Sequence, residues 1–600
     1  MSNKKDNIIR GGQFIVHETS AKDVFTPEDF TEEQSMMRDS VIEFVEKEIV
    51  PNKAKFEQKD YALTENIMRK AGELGLLGIS VPEQYEGLGM DFITTMLVCD
   101  RISGVTGSVA TAYGAHTGIG TMPIVLYGNE EQKKKYLPRL ASGEWFGAYC
   151  LTEPEAGSDA NSGKTTATLS EDGTYYSLSG QKMWISNAGF ANLFIVFARI
   201  ENDKYITGFI VENDPENGIT FGEEENKLGI HSSSTRQVFF SNTKVPIENM
   251  LSERGNGFKI AMNVLNIGRI KLAGACLDAQ RRVLNLSINY AKERKQFKTP
   301  IASFGAIQAK LAEMAMHAYV SESATYRASK DIDNRLQIRI STGEDPATAE
   351  LKAVEEFAIE CSILKVAASE YMQTAADEGI QIYGGMGFSA DAPMESAWRD
   401  ARISRIYEGT NEINRMLTIG MLLKKAMRGH VNILEPAMAV ASELTSIPSF
   451  DTPDYSAYLS EEKAILRNLK KVFLMVAGSA VQKYGEELEN NQQLLLSASD
   501  ILIDIYMVES AILRTEKNAE RSGIETQNVQ LAMTQLFLYK TVDKVTQKAK
   551  EGIVSFAEGD EQRMMLMGLR RFTKYQEFPN VVNLRNTIAE AIIEKGSYSL

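Results

Sequence analysis

Cysteine is scarce in this chain of 600 residues: Cys99, Cys150, Cys276 and Cys361 stand far apart, with no CxxC pair. That pattern argues against a disulfide framework or a zinc ribbon and makes a reducing compartment the expectation. Only five histidines occur (His17, His116, His231, His317 and His430), none paired at metal-ligand spacing, so a metalloprotease helix is excluded. Positive charge is the minority sign. Lys and Arg number 65 against 80 Asp and Glu, a net of −15, so no nucleic-acid partner is expected, because such binding rests on cationic patches. No eighteen apolar residues run together, so the sequence predicts no membrane-spanning helix. The opening MSNKKDNIIRGGQFIVHE has cations but lacks the apolar core and cleavage site of a secretory signal. A cytoplasmic protein is expected.

What is present is ordinary globular composition, 43% hydrophobic and 24% charged, in a chain long enough for roughly four domains. Residues 1–24 read as a loose tail. From Thr26-Pro27 and the capping box Thr31–Gln34 onward, Met37, Val41, Phe44, Val45 and Ile49 recur at helical spacing, giving a helical domain over 25–146. Over 147–252 the period falls to two: 174–185 (TYYSLSGQKMWI), 192–200 and 205–211 read as strands of a small sandwich or barrel. Helical periodicity returns over 253–428. The passage 429–459, with Pro436, Pro448 and Pro453, reads as a linker. Beyond it, Ile465, Leu466, Leu469, Val472, Phe473 and Val476 form an apolar stripe that opens an appended all-helical domain over 460–600. The fold class is α+β.

Two glycine clusters are decoys. In GSDANSGKT, five residues separate Gly157 from Gly163 where a P-loop needs four, and Gly384–Gly387 does not match a dinucleotide fingerprint. Four other segments could carry chemistry. The loop 149–159 (YCLTEPEAGSD) offers hydroxyls and open backbone amides to an anionic or carbonyl-rich ligand. Gln181–Asn187 places the indole of Trp184 and the hydroxyl of Ser186 at a strand end, suited to a flat ring. QIYGGMG follows at 381–387, and Arg405–Glu412 sets Glu408 between Tyr407 and Gly409, where burial would raise its pKa and suit it to general-base work. Taken singly, each has a plainer reading: a connecting loop, a core aromatic, a turn, a capping or surface carboxylate.

Together, in this order and spacing, the segments make the chain resemble the acyl-CoA dehydrogenase flavoprotein family over about residues 25–430. YCLTEPEAGSD resembles its first signature, QIYGGMGFSADAPMESAWRD its second, and IYEGTNEI its catalytic-base segment. FTPEDF, YGAH, FGAIQAKLAEM and the extra C-terminal region look most like the very-long-chain branch. The resemblance implies an N-terminal helical domain, a central β-barrel-like domain and a C-terminal four-helix bundle, with FAD between the last two. It implies that Leu151, Thr152, Gly157, Ser158, Trp184 and Ser186 line the flavin and pyrophosphate. Arg294, Phe297, Gln381 and Gly385 would hold the adenosine end across a homodimer, and Thr410 and Glu412 would also meet FAD. Ser158, Arg269, Tyr407 and Gly409 would border the substrate. Glu408 would remove the α proton of an acyl-CoA, its backbone N–H and a flavin ribityl hydroxyl meeting the thioester oxygen, while the β hydrogen leaves as hydride to give trans-2-enoyl-CoA, the first step of fatty-acid β-oxidation. Electrons would pass to an electron-transferring flavoprotein.

Some branches of the family carry the base at a position matching Gly268, which has no side chain to do so. Two departures stand out: Ser396 falls where the second signature carries Lys or Arg, and Glu155 where a small or neutral residue is usual. Ala110, Thr111, Ala112, Gly114, Ala115 and Gly118 leave room for a deep acyl pocket, or else for close helix packing. The 460–600 region would pack a dimer, or lie weakly on a membrane. An acyl-CoA oxidase, a monooxygenase on the same fold and a weakly active assembly protein are the alternatives.

Overall fold

The computed structural model describes residues 9–446 and 454–598. Residues 9–24 correct the expectation of a loose tail; residues 1–8 lie outside the described residues. Phe14 and Ile15 are buried, and the N–H of Gly12 donates to Glu360 Oε1 at 2.7 Å. The apolar pair supplies burial, and Gly12, at φ 82°, supplies the bend that delivers it.

The N-terminal helices are α1 (Glu32–Phe44), α2 (Lys53–Glu57), α3 (Tyr61–Glu73), α4 (Phe92–Ile102), α5 (Gly107–Gly114), α6 (Met122–Tyr127) and α7 (Glu130–Ser142). The capping box forms in both halves: Thr31 accepts from the Gln34 N–H, and Gln34 accepts from the Thr31 N–H. Following α5, Ala115–Gly120 is a π-helical turn, a local widening that often marks a functional site.

The chain then enters β1 (Gly147–Cys150), β2 (Thr166–Leu169), β3 (Tyr175–Ser186), β4 (Leu193–Ile200), β5 (Thr207–Glu212), β6 (Ile219–Phe221), β7 (Thr235–Pro246) and β8 (Met250–Leu251). They form one sheet in the order β6-β7-β3-β2-β4-β5-β8, with β1 parallel to β4. Inward side chains such as Phe194, Val196, Phe209 and Val238 are fully buried. The antiparallel β3–β7 register shifts between Lys182 and Ile185, a bulge that re-aims the side chains there.

The second helical half begins with α8 (Gly257–Glu293), followed by the short hairpin β9 (Lys295–Gln296) and β10 (Thr299–Pro300). It continues through α9 (Gly305–Ser341), α10 (Pro346–Glu356), α11 (Ala358–Tyr383), α12 (Pro393–Ile403) and α13 (Asn411–Met427). Helices α8, α9 and α11 pack on one another and α13 lies on α11. Among the described residues α8 alone is long and apolar enough by composition to cross a membrane, and 83% of that window is buried inside the protein. Within the passage read as a linker, α14 (Leu434–Thr445) forms and buries Val440. Its Pro436 sits in the first turn, where a missing N–H costs nothing. Residues 447–453, with Pro448 and Pro453, lie outside the described residues.

The last helices are α15 (Ser460–Tyr484), α16 (Gln492–Ser522), α17 (Asn528–Phe556), α18 (Gly559–Phe572) and α19 (Val581–Lys595). Their core is continuous with that of the preceding helices: Leu469, Ile501 and Leu536 belong to the same apolar cluster as Ala312 and Ile363. Buried ion pairs reinforce the join, with Arg327 to Glu509 at 2.9 Å and Arg514 to Glu322 at 3.2 Å.

Candidate active site

Glu408 stands in the turn between α12 and α13, its backbone held left-handed at φ 58°, with Gly409 at φ 81°. A non-glycine residue in that region is strained, and such strain persists where its surroundings over-determine it. Here they do. Asn414 Nδ2 donates to the carbonyls of Glu408, Gly409 and Thr410 at 3.3, 2.8 and 3.0 Å. Lys365 Nζ reaches the Gly409 carbonyl at 2.8 Å, and Arg269 Nε the Glu408 carbonyl at 3.3 Å. With the carbonyls drawn to one side, the carboxylate projects to the other.

That carboxylate is the chemical centre. Its Oε2 is buried and has no hydrogen-bond partner, and burial pushes its pKa up to about 7 against the pull of Arg269 and Lys365. Gly268 explains how it fits, since a Cβ at that position would lie 2.5 Å from Oε2. The residue that could not be a base is thus the one that makes space for the base. Arg269, expected beside the site, is there and buried, bonded to the Glu408 carbonyl and, at 2.7 Å, to Asn266 Oδ1 rather than paired with a carboxylate.

Glu408 and Tyr407 line a cavity with about 1040 Å³ of empty space including its open mouth, at the upper end of small-molecule sites. One wall is a single face of α8: Gly268, Lys271, Leu272, Ala275, Cys276 and Ala279. Of the small residues singled out in sequence, Ala110, Thr111, Gly114 and Ala115 line it; Ala112 and Gly118 are buried but do not. Asp400 lines it as well, its oxygens accepting from the Gly107 and Ile230 N–H groups at 2.8 and 2.5 Å. Ser396 is buried in the same lining and donates to the Pro393 carbonyl at 3.1 Å, so its place is filled by a small side chain instead of a long cation.

Ser186 lines the same cavity, and beside it Trp184, left-handed at φ 61°, leaves its indole 53% exposed. A large aromatic turned outward at a bulge is available to cover a flat ring. The loop facing it is held from below by a buried pair: Lys182 Nζ donates to Glu153 Oε1 at 2.6 Å and to the Leu151 carbonyl at 3.2 Å. Glu153 also accepts from the Lys164 and Thr165 N–H groups, and the Met183 N–H donates to the Thr152 carbonyl at 3.0 Å. Leu151 is buried while Gly157 and Ser158 are exposed, and nothing lies within 4 Å of where a Gly157 Cβ would be. Glu155 reaches Lys164 in an exposed pair, which neutralises the extra charge noted in sequence. These residues fit a flavin: an open aromatic face at Trp184, the cavity-lining Ser186 with its hydroxyl, and a loop with open backbone bonded to the same strand.

The remaining expected residues sit elsewhere. Arg294 and Phe297 leave the end of α8, Gln381 and Gly385 the end of α11, and stacking of Tyr290 on Tyr383 at 3.9 Å holds those ends together. All four are exposed, Phe297 by 90%, and none lines the Glu408 cavity. Thr410 caps α13, accepting from the Ile413 N–H at 3.2 Å, and Glu412 is exposed in its first turn. Sequence reasoning missed Lys365, Asn414, Lys182 and Glu153. A lone lysine in the apolar run CSILKVAAS was the available signal for Lys365.

Comparison with known proteins gives the family. Sequence models described as the acyl-CoA dehydrogenase N-terminal, middle and C-terminal domains match residues 31–144, 148–243 and 255–422, and a further C-terminal domain model matches 468–571. A probable acyl-CoA dehydrogenase of Bacillus subtilis is 42% identical over 600 residues, covering 100% of both chains. The very long-chain specific acyl-CoA dehydrogenase of Rattus norvegicus mitochondria is 33% identical over 85% of this chain and 78% of its own. The crystal structure of an acyl-CoA dehydrogenase complexed with FAD from Bacillus anthracis superposes with a TM-score of 0.95 at 42% identity, covering 99% of this chain and 100% of that one. The chain belongs to the acyl-CoA dehydrogenase family.

Proposed function

We propose that this protein converts acyl-CoA thioesters of long chain to trans-2-enoyl-CoA, with Glu408 as the base. The observation that carries the reading is the unpartnered, desolvated carboxylate of Glu408 facing the apolar cavity. FAD, when bound, supplies the acceptor for the β hydrogen and its electron pair. The chain supplies the rest. One oxygen of Glu408 takes the α proton; raised basicity in a dry site makes that transfer worth about 10²–10⁴-fold in rate. Charge then grows on the thioester oxygen, and the Glu408 N–H, which has no acceptor among the described residues, is the donor this reading assigns to it. Arg269, Lys365 and Asn414 hold the carbonyls away so that this N–H and the carboxylate face the substrate together.

Leu151, Thr152, Gly157, Ser158, Trp184 and Ser186 would hold the flavin end of the cofactor, with Thr410 and Glu412 beside it. Arg294, Phe297, Gln381 and Gly385, exposed together away from the cavity, are supplied in this reading by a second copy of the chain, making the working unit a homodimer. Ser158, Arg269, Tyr407 and Gly409 border the thioester. An electron-transferring flavoprotein is the acceptor assigned by the family resemblance. The small residues of α5 and the serine at 396 support a preference for long acyl chains. Anaerobic bleaching of the holoenzyme flavin by a series from butanoyl- to palmitoyl-CoA tests it: the rate constant divided by the half-saturating concentration should rise with length. Equal or better reaction with butanoyl-CoA would sink the long-chain assignment.

A further inference from the structure

The turn that carries Glu408 is connected to the appended helices by an unbroken series of polar contacts. Lys365, fully buried on α11, bridges the Gly409 carbonyl (2.8 Å) and Asn411 Oδ1 (2.7 Å). Asn411 Nδ2 donates to Ser369 Oγ and Glu370 Oε1, both at 3.1 Å. Glu370 accepts the two-pronged guanidinium of Arg415 at 2.9 and 3.0 Å. The third nitrogen of that guanidinium, Nε, donates to Asp500 Oδ1 of α16 at 2.7 Å, and Lys548 of α17 lies 3.7 Å from the same carboxylate. Both ion pairs of Arg415 are largely shielded from solvent.

Each member fixes the next. Arg415 is a rigid planar fork, so anchoring its Nε sets the plane in which it grips Glu370. Glu370 fixes the rotamer of Asn411, which presents its carbonyl oxygen to Lys365. Lys365 cannot satisfy its ammonium elsewhere in an apolar helix interface, so it stays on the Gly409 carbonyl. We infer that Asp500 is a positioning residue for the catalytic turn, and that the appended helices hold the backbone around Glu408 in its working conformation. This rests on Glu408 being the base. Packing alone would make the appended helices a generic support, whereas this series gives the positioning effect to one residue of α16.

Two variants break the series without removing bulk: Asp500→Leu, which keeps the branched shape and has no acceptor for Arg415 Nε, and Arg415→Lys. A third, Glu313→Gln, cuts the pairs from α9 to Lys540 of α17 and Arg585 of α19 (2.6 and 2.7 Å) but touches no member of the series. In the holoenzyme without substrate, amide hydrogen exchange of the peptide spanning 404–412 should quicken in the first two and stay unchanged in the third. Anaerobic reduction by saturating palmitoyl-CoA should slow about 10-fold in the first two, with half-saturation moved less than about 2-fold. Wild-type exchange and rate in Asp500→Leu would overturn the inference, as would equal effects in Glu313→Gln. A wild-type flavin that no acyl-CoA reduces would instead refute the dehydrogenase reading, while the exchange measurement still decides the coupling.

Discussion

A methyl group at position 268 would stand 2.5 Å from Glu408 Oε2, 2.8 Å from its Cδ and 3.1 Å from Oε1. Ordinary contact with a Cβ begins at 3.4 Å, so in Gly268→Ala the carboxylate must retreat by 3.4 − 2.5 = 0.9 Å. It can do so cheaply, because it is the free end of a flexible side chain facing a cavity. The backbone gains: alanine in a helix interior is favoured over glycine by roughly 0.5–1 kcal/mol, and position 268 lies well inside α8. Catalysis loses, since displacing a reacting group by about 1 Å costs on the order of 10²-fold. The variant should therefore melt at or above the wild-type temperature, bind FAD and acyl-CoA, and bleach its flavin about 100-fold more slowly. Stopped-flow absorbance under nitrogen, beside a thermal melt, reads both quantities. A Gly268→Ala protein that reduces its flavin at the wild-type rate would refute the placement of the base against α8.

Other outcomes follow from the same geometry. The Glu408 carboxyl, raised to about 7, must be ionised to act, so the reductive rate should rise with pH through about 7 and level above it. A raised carboxyl favours the folded state only while protonated; Glu408→Gln should therefore melt higher than wild type at pH 8 and match it at pH 4. Glu153→Gln strands the buried Lys182 ammonium, which should cost about 3–5 kcal/mol in chemical denaturation and loosen FAD. Ala110→Phe fills the cavity wall and should lower palmitoyl-CoA turnover by at least about 10-fold while sparing butanoyl-CoA.

The large features were legible because they are periodic or local. The capping box at Thr31, the strands around 175–186, 193–200 and 207–212, and the helical return after 255 all follow from spacing that one segment contains. Glu408 was legible from its neighbours only as one candidate beside a plainer reading, and the resemblance singled it out, because its burial and free Oε2 depend on α8 crossing at Gly268, 140 residues earlier. Lys365 left only the faint signal of a lone lysine in an apolar run, and Asn414 and Lys182 left none, because the partners that give them their roles lie across the fold. The tail was misjudged for a similar reason. Phe14 and Ile15 are too few to show a period, and what buries them lies more than 300 residues away. Proline suggested an open linker over 429–459, yet Pro436 falls in a first turn and leaves α14 intact.

The central claim is that Glu408 is the proton acceptor, and the most direct test is anaerobic mixing of wild-type and Glu408→Gln holoenzymes with saturating palmitoyl-CoA. Glutamine preserves the shape and removes the basicity. The wild-type flavin absorbance should bleach, while the variant should bind the thioester, shown by a shift of its oxidised spectrum, and stay oxidised. A variant that bleaches within 10-fold of the wild-type rate would contradict the account, because general-base catalysis is worth about 10²–10⁴-fold.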